Sequence, residues 1–356
     1  MQYYLVEPEK LKLYCAKIFE GEGVPPDSAL EVAEMLVSAD IRGVRSHGVA
    51  RVKPYSARMR DGGADCFAEV SVDRETPVTA VLDANASLGG VASAKAVQMA
   101  REKAKANGIG LVAVRRSNHF GMAGHWALKL AGDDMIGFCG SNTYGTMVPP
   151  GAKKPGIGNN PFSFAYSGGK YRDICVDMAT SVVAAGKALD LTLQGKPVPE
   201  GWFLDKDGNP TTDYYKRGMM LPFAGHKGYG IAFIVETLST FLSGGVLTPA
   251  MNPQTNNALP ELASHSFGAV RIDAFRDLAG FKADVDTYID FLKSLPVADE
   301  SVTVKYPGEI ELNAKKKTLS EGISLSETLV DELAGIGQGV GLSEQESAFL
   351  RARVQE

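Results

Sequence analysis

The chain has 356 residues, 44% of them hydrophobic and 22% charged, which is too long for one average domain and enough to bury large cores without staples. Its net charge is −5 and its basic residues are scattered, which excludes nucleic-acid binding by charge alone. The densest basic run, Lys315-Lys316-Lys317, is short and reads as a solvated turn.

In chain order, the first sixty or so residues read as three helices. One spans about 8–20 and carries Leu11, Tyr14, Cys15, Ile18 and Phe19 on one face. A second starts at Pro25-Pro26-Asp27-Ser28 and ends near Arg42-Gly43, and a third runs through about Arg60. From about 76 to 295 strands and helices alternate, with strands at Val78–Leu82, Ile109–Val114, Ile136–Gly140, Phe162–Tyr166 and Ile174–Met178. Helices fall at 91–107 and 121–132, and 228–243 reads as a strongly apolar, buried helix. Segments 195–222 and 246–266, rich in Pro, Gly, Asn and Thr, read as long surface loops. After Pro307 comes a short extended piece, then helices at about 324–335 and 343–354. Four cysteines lie far apart, so neither a disulfide framework nor a metal site is expected. No run approaches the roughly 18 apolar residues of a membrane span, and MQYYLVEPEK lacks a signal pattern, so the expected address is cytoplasmic.

Three of the five histidines stand in glycine-flanked turns, Ser46-His47-Gly48, Asn118-His119-Phe120-Gly121 and Gly225-His226-Lys227-Gly228. Loop tips at strand ends are where α/β sites form, and imidazole exchanges protons near neutral pH. Arg51, four residues after His47, can share its pocket and fork onto a carboxylate; a helix-capping histidine with a solvated arginine is the plain alternative. His119 follows a strand and the pair Arg115-Arg116 and leads into a helix N-terminus, a place that welcomes anions. No GxGxxG follows an early strand; the run Gly156-Ile157-Gly158-Asn159-Asn160-Pro161 is GxGxxP, precedes a strand and lacks the dinucleotide context, so a Rossmann domain is not expected. Val176-Asp177-Met178-Ala179-Thr180-Ser181 ends a strand and can hold a phosphate or ribose, or simply cap a helix.

Six segments in order, SADIRGVRSHGVARV, VRRSNHFGMAGHWA, GIGNNPFSFA, VDMATS, PFAGHKGYGIAFIVETLSTFLSGG and YPGE, together resemble the type 2 malate/L-lactate dehydrogenase family. The resemblance implies an α/β fold with a non-Rossmann, mixed-sheet domain at 73–301 that binds NAD or NADP. A helical domain from both chain ends, 1–72 plus 302–356, and a homodimer accompany it. His47, Arg51, Ser46 and His119 would stand at the substrate, either histidine serving as proton donor or acceptor. The cofactor would meet Ile174, Cys175, Val176, Asp177, Met178, Ala179, Thr180 and Ser181, together with His226, Lys227, Gly228, Pro307, Gly308 and Glu309. Two departures from the family pattern, Gly158-Asn159-Asn160-Pro161 and Pro150-Gly151-Ala152-Lys153, flank that site. The expected reaction is hydride exchange with a small 2-oxo or 2-hydroxy carboxylate. The alternatives are reduction of a cyclic imino acid and a non-catalytic nucleotide-binding module.

Overall fold

The computed structural model of the protein describes residues 2–354 apart from 184–187, 190 and 193. Strand β1 (Tyr3–Val6) leads into α1 (Pro8–Gly21) and α2 (Pro26–Ile41). Pro8 and Pro26 occupy first turns, where a missing N–H and a fixed φ are tolerated. The predicted faces are buried, Leu11, Cys15, Ile18 and Phe19 on α1 and Val32, Met35 and Leu36 on α2. Two short 3-10 turns, Arg45–His47 and Val49–Arg51, then start α3 (Val52–Arg60).

The centre of the molecule is a seven-stranded mixed sheet. Its strands are β2 (Ser71–Glu75), β3 (Thr79–Asp83), β4 (Ile109–Ser117), β5 (Met135–Ser141), β6 (Phe162–Tyr166) and β7 (Ile174–Met178), with one more from late in the chain. Three short strands, β8 (Phe203–Asp205), β9 (Pro210–Thr211) and β10 (Arg217–Met220), form a separate small sheet inside the segment 195–222 expected to be loop. The seventh strand of the main sheet is β11 (Ala263–Arg271), and the order is β2-β3-β4-β11-β5-β6-β7. Only β3 and β4 run parallel, joined by the crossover helix α4 (Gly89–Asn107); β11 is antiparallel to both its neighbours. A Rossmann sheet is parallel throughout its binding halves, so the expected non-Rossmann, mixed α/β class is what the chain adopts.

Helix α4 and α5 (Ala123–Leu130) cover one face of this sheet: a Cβ on Gly110 would strike Ala100 of α4, and one on Gly137 would strike α5. The opposite face is covered by α6 (His226–Glu236) and its π-helical continuation Thr237–Phe241, where Val235 lies against Gly140. This stretch is not the wholly buried helix its composition suggests, since Phe233, Ile234, Phe241 and Leu242 are exposed. Helix α7 (Leu278–Ser294) precedes the tail.

The tail also departs from expectation. Glu309–Glu321 is a helix, α8, rather than an extended piece, and Lys315-Lys316-Lys317 lie on it rather than on a turn. Strand β12 (Ile323–Ser326) then pairs antiparallel with β1. The expected last helices are α9 (Glu327–Gly339) and the short α10 (Glu344–Ser347). One apolar core runs through α1, α2, α4, α5, the main sheet and α9.

Candidate active site

A cleft of about 400 Å³ opens where β4, β5 and β7 end and β6 and β11 begin. The turn between α2 and α3 overhangs it with Ser46, His47 and Arg51. That turn is held from below by Asp40, a buried carboxylate near the end of α2 that accepts the Val49 N–H at 2.7 Å. Gly48 is required there because a Cβ would overlap the Asp40 carboxylate. Burial pushes the Asp40 carboxyl up to about 7, against the Val49 N–H and the Arg45 charge.

An acid whose folded value lies above its unfolded one, about 4, binds more protons when folded. Its stability contribution therefore declines as pH rises from about 4 to about 7. Asp40→Asn keeps an acceptor for Val49 while abolishing the titration. We expect its melting temperature relative to wild type to climb between pH 4 and 8, by the equivalent of about 4 kcal/mol at most. Parallel melting curves across that range would refute this role for Asp40.

His119 is fixed on the other wall. The preceding Asn118 donates to the Ala86 and Ser87 carbonyls at 2.9 and 3.0 Å and accepts the Glu261 N–H at 3.1 Å. Behind it, His265 of β11 stacks on Phe120 with ring centroids 4.6 Å apart and meets the Asn118 carbonyl at 3.2 Å. The His47 and His119 rings stack across the cleft at 5.4 Å. Ser46 Oγ lies 2.9 Å from His47 Nδ1, and Arg51 donates its Nε–H to the Ser46 carbonyl at 2.7 Å. At His119, Nδ1 accepts from the Tyr55 hydroxyl at 2.6 Å and from the Gly121 N–H at 3.3 Å. A nitrogen that accepts a backbone N–H carries no proton, so this network assigns the neutral His119 proton to Nε2.

Both imidazoles sit deep in the cleft while keeping part of their surface open to it. Burial, then the Arg51 charge, holds His47 down at about 4. The same two causes, in the same order, hold His119 well below its ordinary value. Both are therefore neutral at pH 7.

The remaining expected residues assemble along β7, the sheet edge. Asp177, Met178 and Ala179 line the cleft. The Asp177 carboxylate accepts the Gly124 N–H at the start of α5, 2.9 Å away; burial and the Glu311 charge raise it to about 6. Ile174, Cys175 and Val176 lie further back on the strand, where the Cys175 N–H donates to the Pro307 carbonyl at 3.0 Å. Gly308 has φ +89, and a Cβ there would stand 2.8 Å from the Cys175 nitrogen, so only glycine brings this turn against β7. Glu309 turns away to ion-pair with Lys293 at 2.7 Å. Thr180 and Ser181 are buried and hydrogen-bonded to the Asn159 and Val183 carbonyls. Thr180 also accepts the Phe223 N–H at 3.0 Å, which brings the His226-Lys227-Gly228 start of α6 alongside. Gly228 is buried, whereas His226 and Lys227 are exposed.

Other polar groups flagged by the sequence lie elsewhere. Arg115 and Arg116 both pair with Asp83, at 3.1 and 2.8 Å, and are not free to receive an anion. His125 is buried beside Trp126. A groove of about 820 Å³ between α2 and α4 is larger than the cleft but contains no histidine among its described residues. Sequence reasoning missed Asp40, Tyr55, Tyr144 and Glu261. Of these only Tyr55 carried a signal, since it continues the His47–Arg51 spacing by another four residues.

Residues 6–334 match the sequence profile of the malate/L-lactate dehydrogenase family. The L-sulfolactate dehydrogenase of Methanocaldococcus jannaschii is 36% identical over 344 residues, covering 95% of this chain and 98% of its own. The malate dehydrogenase of Pyrococcus horikoshii is 34% identical, with 96% of each chain covered. The solved structure of the Methanocaldococcus jannaschii sulfolactate dehydrogenase superposes with a TM-score of 0.90 at 34% identity, over 96% of this chain and 99% of that one. The chain belongs to the malate/L-lactate dehydrogenase family of oxidoreductases.

Proposed function

We propose that the protein is an NAD(P)H-dependent oxidoreductase of small 2-oxo and 2-hydroxy carboxylates, working in the cleft between His47 and His119. The observation that carries this reading is the pair of neutral imidazoles facing each other beside Arg51, whose terminal nitrogens have no protein partner among the described residues. The residues fit a dinucleotide as well. Met178 and Ala179 give an apolar wall. Lys227, at the N-terminus of α6, has no ion-pair partner among the described residues and suits a diphosphate. When bound, the nicotinamide supplies or accepts the hydride.

Arg51 holds the substrate carboxylate in a fork, its Nε already committed to Ser46. His119, with its proton on Nε2, donates a hydrogen bond to the carbonyl oxygen and stabilises charge that develops there. It cannot accept a proton at Nε2 without moving its own to Nδ1, which gives up the Gly121 contact and reverses the Tyr55 hydrogen bond. The proton exchange therefore falls to His47, with Ser46 holding its Nδ1. A carboxylate bound to Arg51 offsets the charge that depresses His47, so substrate binding itself raises the imidazole towards a useful range.

We further read residues 1–72 with 302–356 as one unit and 73–301 as the other, in a cytoplasmic homodimer. The exposed Phe233, Ile234, Phe241, Leu242 and Leu247 around α6 favour a second copy as their cover.

The test is absorbance of the reduced nicotinamide with NADH and NADPH against 2-oxo acids and cyclic imines. We expect consumption with 2-oxo acids. In the reverse direction His47 must be unprotonated, so kcat/KM should hold as pH falls and drop only near pH 4. Consumption with cyclic imines alone would move the reading to C=N reduction. Cofactor binding without turnover of either class would favour a nucleotide-binding module, and a limb near 6.5 would remove His47 as the base.

A further inference from the structure

The cleft carries an unequal set of charges. Among the described residues that line it, Arg51 is the only lysine or arginine, while Asp177, Glu261 and Glu311 are carboxylates. Glu261 is answered by the buried Arg58, whose Nε lies 3.5 Å from it. Asp177 and Glu311 have no ion-pair partner among the described residues. One fixed cation with one open fork matches one carboxylate. A second anionic group on the substrate would be enclosed with no further lining cation to answer it, an arrangement that is strongly disfavoured away from water.

Tyr144, an uncharged polar residue, also lines the cleft, half-buried, and its hydroxyl has no hydrogen-bond partner among the described residues. The phenol shares the cleft lining with Arg51 and Glu261, and both charges act on it. Arg217 also reaches it electrostatically but is committed to the small sheet. Its guanidinium stacks 3.6 Å from the Tyr214 ring and donates to the Tyr214 carbonyl at 2.9 Å.

Resting on the reading proposed above, we propose that the substrate carries a single negative charge, with an uncharged side chain that hydrogen-bonds to the Tyr144 hydroxyl. Tyr144 is then the specificity residue, and substrates with a second carboxylate or a sulfonate are rejected. This separates the chain from its relatives named for malate and sulfolactate.

The experiment compares kcat/KM for pyruvate, 3-hydroxypyruvate, oxaloacetate and sulfopyruvate with the purified full chain and its preferred nicotinamide. We expect 3-hydroxypyruvate to exceed both dianions by about tenfold or more, as unmatched buried charge dictates. Tyr144→Phe should lower the ratio of kcat/KM for 3-hydroxypyruvate to that for pyruvate by about tenfold. Tyr144→Arg, checked for an unchanged melting temperature, should raise oxaloacetate by about tenfold or more. Wild-type preference for either dianion overturns the charge selection alone. A Tyr144→Phe variant that keeps the wild-type ratio overturns the part played by Tyr144. Turnover of none of the four acids overturns the underlying reading and this proposal with it.

Discussion

His47→Ala is expected to lower turnover of a 2-oxo acid by about 10²–10⁴-fold, the usual worth of a positioned proton donor, with nicotinamide binding retained. His119→Ala should cost a similar amount, about 10²–10³-fold, for a different reason: a hydrogen-bond donor to the developing oxyanion is lost. Glutamine separates the two roles. It supplies an N–H but exchanges no proton, so His119→Gln should recover part of the loss and His47→Gln none. Equal recovery in both would dismiss the division of labour drawn from the Gly121 and Tyr55 bonds to His119. Full turnover in both alanine variants would dismiss the mechanism altogether.

Arg51→Met should reduce kcat/KM by about 10²–10⁴-fold, the scale of two lost charge-assisted hydrogen bonds of about 1.5–3 kcal/mol each. Most of that should enter through KM, since the carboxylate is held in ground and transition states alike. The same substitution removes the cation that depresses both histidines, so the acidic limb of the pH profile should move upward. An unchanged limb alongside a raised KM would mean that burial alone sets the histidines, and an unchanged KM would place the carboxylate elsewhere.

Much of this arrangement was legible in the residues. Pro8, Pro26 and the apolar periodicity marked α1 and α2, and alternation marked β3 to β7 within a few positions. The central strand was not legible. Ala263-Ser264-His265-Ser266-Phe267-Gly268-Ala269 is buried on both faces yet carries small and polar side chains, because neighbours on each side approach closely. Neither alternation nor branched residues announce such a strand. The helix 309–321 was missed for another reason: none of its residues is buried, so it carries no apolar stripe to read. At the site, glycine-flanked histidines and the i, i+4 arginine pointed to the cleft, whereas Asp40 acts on a backbone N–H nine residues on and Glu261 through contacts distant in sequence. No local pattern marks a carboxylate that will come to lie under a turn.

The position of β11 also has a consequence for how the chain is made. Strands β4 and β5 are neighbours in sequence but not in space, and β11, more than a hundred residues later, fills the gap between them. On a ribosome, everything from 71 to 178 emerges with two open strand edges facing a vacant slot. Exposed edges of this kind invite pairing with other chains. The nascent protein therefore has a long interval in which its sheet exists as two halves, closed only when the insert arrives. Fragments ending before Ala263 should accumulate as aggregates, and slow, late sheet closure should dominate refolding.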